Sequence, residues 1–432
     1  MKINVLIIGS GAREHAFAWK MAQSPIVDQI FLAPGNGGTG TDYINLVIDP
    51  LDFEGIAKAI LQFSIKLVLV GPEQPLVEGI IDFFENQSDS RFEEVVLIGP
   101  NKLCAALEGS KDFSKQIMKE AGIPTATAKV FSANDWDDLT VYIQNHALPV
   151  VIKADGLAAG KGVAVCLTAE EAIAFSATVL LEKAFGVANQ TLLVEDFLDG
   201  IEVSMFLLSD GENYQMLPEA KDYKRIFDHD QGPNTGGMGS VSPVWFVDEA
   251  FMEKVENRIV KPLFQTLKRR GMQYKGFLFI GLMKVGHDPI VIEFNARMGD
   301  PETQTVLARI EGDIVPALLS VKDQKLNLNP FKIEPESAVT VVFCAENYPD
   351  TPTKGDVIHL GSKVKNGLVF HAGTKKTDDV LLTNGGRVLS CTAIGKDVQE
   401  AILNAYILGE SVRFRARQYR TDIGKDMIDQ AL

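Results

Sequence analysis

Short apolar runs separated by helical stretches organise the first hundred residues. Val5–Ile8 reads as a strand, His15–Met21 as a helix and Gln29–Ala33 as a second strand. The alternation continues with Phe53–Phe63 helical, Leu67–Val70 a strand, Gly79–Phe84 helical and Val95–Ile98 a strand. Continuous Val/Ile/Leu runs of this kind predict parallel strands buried on both faces. Ligands of such sheets gather at the carboxyl ends of the strands. Those ends are Gly9–Arg13, Pro34–Thr39, Gly71–Pro75 and Gly99–Lys102.

The pattern then changes. A helix over Lys111–Ala121 stops at Gly122, before Pro124. Strands at Pro149–Lys153, Gly162–Cys166 and Leu192–Glu195, with a helix at Ala169–Glu182, predict a compact α+β unit. A helix over Asp248–Arg270 and strands from Phe277 and Ile290 follow. Asn327–Glu336 holds two prolines and reads as a linker. Beyond it, strands Ala338–Cys344, Leu368–His371 and Arg387–Ile394 and a helix at Val398–Ile407 form a tail. The fold class expected is α/β and α+β multidomain. A Rossmann-like parallel-sheet domain would span 1–103, a second domain 104–326 with a mobile lid near 124–196, and a small α+β domain 337–432.

Composition narrows the function. The 432 residues are 46% hydrophobic and carry a net charge of −15, with a pI near 5.0. That balance argues against nucleic acid and anionic membranes as partners. Four scattered cysteines without a C-x-x-C predict buried free thiols rather than zinc or disulfides. The first residues form too short an apolar run for a signal peptide, and no run suits a membrane span. A soluble, cytoplasmic protein is expected, acting as a monomer.

The most informative stretch is Pro289–Gln304. Its strand places Glu293, Asn295 and Arg297 at alternate positions, which share one face. A carboxylate and an amide oxygen suit a hard cation such as Mg²⁺, and the arginine suits an anion. Alone, the triplet would read as an exposed polar face. The following Gly299-Asp300-Pro301-Glu302-Thr303 adds polar chemistry that is costly beside a buried strand unless it serves a site.

Four further segments carry chemistry. Gly9-Ser10-Gly11-Ala12-Arg13-Glu14-His15 is a glycine-rich strand-to-helix turn able to face an anion. A dinucleotide reading fails, because Glu14 holds the third glycine position and no acidic residue closes the second strand; a phosphate or phosphosugar site with Arg13 is preferred to a structural turn. Lys153 ends an apolar strand before Ala154–Gly162, a loop that resembles a Walker A sequence but lacks its spacing and its Ser/Thr. Lys153 and Lys161 at nucleotide phosphates are favoured over a solvated hairpin. Glu195–Glu202 is an acidic connector that by itself would be an ordinary turn. Asp222–Arg225 and the glycine-rich Gly232–Gly239 read as an irregular active-site loop with an exposed Met238, rather than a plain surface loop.

Together these segments resemble the ATP-grasp ligases, and within them the glycinamide ribonucleotide synthetase family. The likeness runs nearly end to end. It includes Gly9–His15, Ala33–Asn36, Val70–Glu73, Leu107–Lys111, Ile152–Gly162, Gly232–Gly239, Glu293–Gln304, Val369–Thr374, Thr383–Val388 and Tyr419–Gly424. The resemblance implies an ATP-grasp fold and ligation of glycine to 5-phosphoribosylamine with ATP, by way of glycyl phosphate. It implies Mg²⁺ or Mn²⁺ on Glu293 and Asn295. It places ATP near Lys111, Lys153, Gly160, Gly162, Glu195, Phe197, Leu198 and Glu202. Substrates would meet Gly9, Gly11, Arg13, Glu73, Asp222, Lys224, Asn234 and Arg297, with Arg297, Lys153 and Asp300 catalytic. Ala12, Tyr223 and Met298 depart from the common pattern. Two alternatives stand beside it: another ATP-grasp ligase or carboxylase, such as a biotin-dependent one, and a nicotinamide-dependent dehydrogenase resting on the first turn alone.

Overall fold

The computed structural model describes residues 2–158, 161–184, 191–362 and 364–429. Its first unit is a five-stranded parallel sheet of β1 (Ile3–Gly9), β2 (Val27–Pro34), β3 (Ile44–Asn45), β4 (Ile65–Val70) and β5 (Val96–Ile98). The order is β3-β2-β1-β4-β5. Val5 and Ile7 point into one apolar layer, Leu6 and Ile8 into another, as expected for strands buried on both faces. Helix α1 (Ala12–Met21) follows β1. Two short helices escape the sequence pattern. Glu73–Glu78 has six residues, too few to show a period, and Lys102–Gly109 is capped by Asn101, whose side chain accepts from the Cys104 N–H at 3.0 Å.

Two antiparallel sheets form the middle of the chain. One, where the sequence places the expected lid, has the strand order Ala128–Ser132, Thr191–Asp196, Val150–Ala154, Val163–Cys166. Helices Trp136–Gln144 and Ala169–Leu180 cover it around Leu139, Ile143, Val150 and Ile152. The other sheet has the order Tyr214–Met216, Ile201–Asp210, Lys275–Val285, Asp288–Asn295. Thr125 joins the two, its Oγ1 donating to the Val291 carbonyl at 2.7 Å.

The tail is built into this body. Its strands Ser337–Cys344, Arg387–Gly395 and Gly367–His371 continue a sheet that begins with Lys221–Asp222 and Gly239–Ser242. One apolar core runs from Leu107 through Val241 to Ile423. The expected linker is also tied down. Lys332–Ile333 pairs with Ile310–Glu311, and Arg309 Nε donates to the Glu336 carbonyl at 2.8 Å. The glycine-rich stretch after Asp230 is more regular than its composition suggests. Gln231–Asn234 pairs with Arg225–Phe227. Met238 is buried, not exposed, with its sulfur 3.6 Å from Cys344. Methionine fills an apolar gap well, and here it packs the join between middle and tail.

The N-terminal unit meets the tail through two histidines. His15 Nδ1 accepts from the His371 backbone N–H at 3.0 Å, and the rings lie 5.5 Å apart. Burial holds His15 down to about 3, helped by His371, and holds His371 down to about 4. Unfolded, both would titrate near 6.5. Between these values the unfolded chain binds more protons. The stability these neutral rings contribute is therefore complete above about pH 6.5 and is lost as pH falls through 4 toward 3. His15→Asn keeps an acceptor for the His371 N–H and removes one titration. The drop in urea midpoint from about pH 7.5 to about pH 5 is expected to be smaller in this variant than in the wild type; equal drops would contradict the assignment.

Candidate active site

The strand order reverses between β1 and β4, which opens a crevice at their carboxyl ends. Arg13 comes from the first turn of α1, and Pro72 and Glu73 from the start of the helix that follows β4. Opposite them runs Glu293–Asp300. The sheet of the expected lid and the helix Lys111–Ala121 close the far end. The result is a cavity of about 480 Å³ whose walls come from the N-terminal unit, both middle sheets and the tail.

One end of the cavity is rich in lysine. Lys153 Nζ pairs with Glu195 Oε2 at 2.9 Å and donates to the Ile292 carbonyl at 3.2 Å. Lys115 Nζ approaches the other Glu195 oxygen at 3.3 Å. Glu195 is therefore the buried counter-ion of two lysines. Lys111 caps the loop after Val150–Ala154, donating to the Gly156 carbonyl at 2.9 Å. Burial pulls the pKa values of Lys111 and Lys115 down. Glu293 looks onto this end. Burial pushes its pKa up, but Lys153, Lys224 and Lys111 together outweigh that and bring it below the ordinary value. Asn295 Nδ2 lies 3.4 Å from Glu293 Oε1. That leaves the Asn295 oxygen and the second Glu293 oxygen without a protein partner among the described residues. Two open hard oxygens beside lysines fit a cation that takes its remaining ligands from phosphate and water.

The other end is rich in arginine. Arg297 pairs with Glu73 at 3.3 Å and Glu108 at 2.8 Å. Arg13 Nη1 donates to the Met298 carbonyl at 3.0 Å. Arg387, from the tail, donates to the carbonyls of Gly236 and Asp300, each at 2.5 Å, and faces Asp300 Oδ2 at 3.3 Å. Burial raises Glu108 to about 7 against the pull of Arg297. Burial, with Asp222 beside it, raises Glu302 to about 7 as well. Glu73 is brought down to about 2: burial opposes this, and Arg297 and Arg13 overcome it. Lys224 bridges Glu202 and Asp222 on the side wall.

The structure brings together Arg13, Glu73, Lys111, Lys153, Gly162, Glu195, Asp222, Lys224, Glu293, Asn295, Arg297 and Asp300. Phe197, Leu198, Glu202 and Asn234 stand outside the cavity wall, and Gly160 lies outside the described residues. Gly9 and Gly11 also stand outside the cavity wall. The Gly11 N–H donates to Glu14 Oε2 at 2.6 Å, so that one donor of the turn is already answered by a carboxylate. A side chain at Gly9 or Gly71 would strike Glu14, with nearest approaches of 2.6 and 2.0 Å. These glycines make room for Glu14, and Arg13 is the residue of this segment that reaches the cavity wall. Sequence reasoning missed Glu108, Lys115 and Arg387 as members of the site, and gave Glu302 no role beyond its place in the polar stretch after the strand. Glu108 and Arg387 lie in segments that carried the family likeness, but nothing in their local pattern marks them as polar groups of a cavity. The three departures are accommodated. Ala12 opens α1 within the core, Met298 contributes its carbonyl, and the Tyr223 hydroxyl is held by Asp426 and the Gly424 N–H.

A lysine-bearing sheet facing a carboxylate–amide strand across one cavity defines an ATP-grasp enzyme. Within that class the chain belongs to the phosphoribosylglycinamide synthetase family. The family's N domain matches residues 3–108, its ATP-grasp (A) domain 109–303 and its C domain 338–426. A phosphoribosylamine–glycine ligase of Rhodopirellula baltica is 42% identical over 441 residues, covering 100% of this chain and 98% of the relative. One of Vibrio vulnificus is 41% identical over 430 residues, with 98% of each covered. The crystal structure of phosphoribosylamine–glycine ligase from Thermotoga maritima superposes with a TM-score of 0.84 at 36% identity, over 98% of this chain and 100% of that one. A biotin carboxylase of Campylobacter jejuni shares the fold, with a TM-score of 0.69 at 15% identity over 100% of this chain and 95% of its own.

The buried Lys153–Glu195–Lys115 group gives a stability test. Glu195→Gln leaves both buried lysines without a counter-ion and is expected to cost about 3 kcal/mol. Adding Lys153→Met removes one of the two stranded charges and should return part of that loss in denaturant unfolding. A double variant no more stable than the single one would contradict the pairing.

Proposed function

We propose that this protein joins glycine to 5-phosphoribosylamine with ATP, giving glycinamide ribonucleotide, ADP and phosphate, the second step of de novo purine synthesis. The observation that carries this reading is the polarity of one cavity: lysines and open hard oxygens at one end, arginines at the other, with Glu293–Asp300 running between them. The working unit proposed is a monomer.

A carboxylate is a poor electrophile. A glycine carboxylate oxygen attacks the γ-phosphorus of ATP, ADP leaves, and glycyl phosphate results. The amine of phosphoribosylamine then attacks the acyl carbon, loses a proton and expels phosphate. Such transfer needs positioning and charge neutralisation more than a protein nucleophile. Lys111 and Lys153 neutralise the nucleotide phosphates. Arg297 orients the glycine carboxylate and the acyl phosphate formed from it. Arg13 and Arg387 face the space left for the phosphosugar, with Asp300 holding Arg387 in place. A divalent cation, Mg²⁺ or Mn²⁺, on Glu293 and Asn295 would supply charge stabilisation for the transferred phosphoryl group.

Two measurements check these roles. Glu293→Gln with Asn295→Ala should abolish glycine-dependent ADP release at every Mg²⁺ concentration tried, with circular dichroism unchanged; wild-type turnover at ordinary Mg²⁺ would remove the metal assignment. Arg13→Ala should raise KM for phosphoribosylamine about 10-fold or more, through loss of a charged contact, and leave KM for ATP near its wild-type value. Equal effects on all substrates would sink the phosphosugar placement.

A further inference from the structure

Arg297 is gripped from two sides. Its Nε faces Glu73 Oε2 at 3.3 Å, from the start of the helix after β4, and its Nη2 faces Glu108 Oε1 at 2.8 Å, from the helix Lys102–Gly109. Nη1 donates to the Met298 carbonyl at 3.1 Å. A guanidinium has five N–H groups. Nε and Nη1 are hydrogen-bonded here, Nη2 is held by Glu108 as an ion pair, and both terminal nitrogens keep N–H groups to offer. Glu108 also makes a second bond. Its Oε2 accepts from the Ala296 backbone N–H at 2.7 Å. Ala296 sits between Asn295, which ends the strand, and Arg297, which leaves it. One buried carboxylate, 8% exposed, thus fixes both the backbone turn and the guanidinium that follows it.

We propose that Glu108 is a positioning residue for the ligation. It acts through Arg297, aiming the guanidinium's remaining N–H groups at the place where the glycine carboxylate is phosphorylated. The inference rests on the role given to Arg297 above. It adds that this role depends on a carboxylate with both oxygens in use. Glutamine has nearly the same shape but only one acceptor oxygen. In Glu108→Gln either the Ala296 N–H or the guanidinium must face an amide NH₂, and the turn or the guanidinium shifts. Glu73 cannot substitute, because it reaches only Nε.

The test is steady-state ADP formation with glycine and ATP varied in turn, for Glu108→Gln, Glu108→Asp, Arg297→Met and the Glu108→Gln/Arg297→Met double variant. Glu108→Gln is expected to lower kcat/KM for glycine about 10- to 100-fold, the size of effect a small misplacement produces, with KM for ATP within about 2-fold. Glu108→Asp, which keeps the charge and both oxygens, should recover part of the loss. The double variant should be no worse than Arg297→Met alone, because a residue acting through another has no effect once the other is gone. Multiplicative losses in the double variant would overturn the proposal and leave Glu108 a structural group. So would equal losses for glycine and ATP that track a fall in Tm. Full activity of Arg297→Met would overturn the role of Arg297 itself, and the positioning claim with it; a damaged Arg297→Met beside an intact Glu108→Gln would overturn only the positioning. If Glu108→Gln does not fold, Glu108→Asp takes its place in the same cycle, with the same expected non-additivity.

Discussion

A charge taken out of water must be answered by an opposite charge within a few ångströms, and this site is organised by that constraint. Leaving one buried partner alone costs several kcal/mol. Accordingly Lys153 and Lys115 share Glu195, Arg297 lies between Glu73 and Glu108, and Arg387 faces Asp300. Lys224 likewise bridges Glu202 and Asp222. Each arrangement sets every charge against an opposite one before any ligand arrives, and each also fixes the direction in which the remaining hydrogen-bonding groups point.

The same pairs couple distant parts of the chain. Glu73 belongs to the parallel-sheet unit, Arg297 to the middle and Arg387 to the tail. The site is complete only when all three are assembled, which explains why the tail shares a sheet and a core with the middle. Arg420 extends the logic to the chain's end. Almost wholly buried, it pairs with Asp230 at 2.6 Å and Asp422 at 2.7 Å and lies over the Tyr223 ring. It thereby braces the segment whose Asp222 and Lys224 line the cavity.

Much of this was legible in the sequence, for identifiable reasons. The parallel sheet announced itself through Val5–Ile8 and Leu67–Val70, because strands buried on both faces need uninterrupted apolar runs. The period of two brought Glu293, Asn295 and Arg297 to one cavity, even though the strand ends at Asn295 and Arg297 lies beyond it. What sequence could not reveal was pairing across hundreds of residues. Glu195 read as part of a polar connector because its partners, Lys153 and Lys115, are remote in the chain. Glu108 and Arg387 carry no local signature of a shared site. Met238 read as exposed because glycines surround it, whereas a strand of the tail covers it. The glycine turn at Gly9–Gly11 suggested an empty anion cradle, and only the folded geometry puts the Glu14 carboxylate there.

The chemistry follows from the cavity's two ends. In the proposed reading, lysines and open oxygens receive a nucleotide, arginines receive anionic acceptors, and the strand between them brings a carboxylate against the γ-phosphate. The central claim is that the carboxylate is activated by phosphorylation before the amine attacks. Glycine labelled with ¹⁸O in both carboxylate oxygens tests this directly, by mass spectrometry of the phosphate released during turnover with ATP and phosphoribosylamine. One glycine-derived ¹⁸O in each phosphate is the result predicted, because the oxygen that attacks the phosphorus departs with it. Phosphate free of ¹⁸O while glycinamide ribonucleotide accumulates would contradict the account.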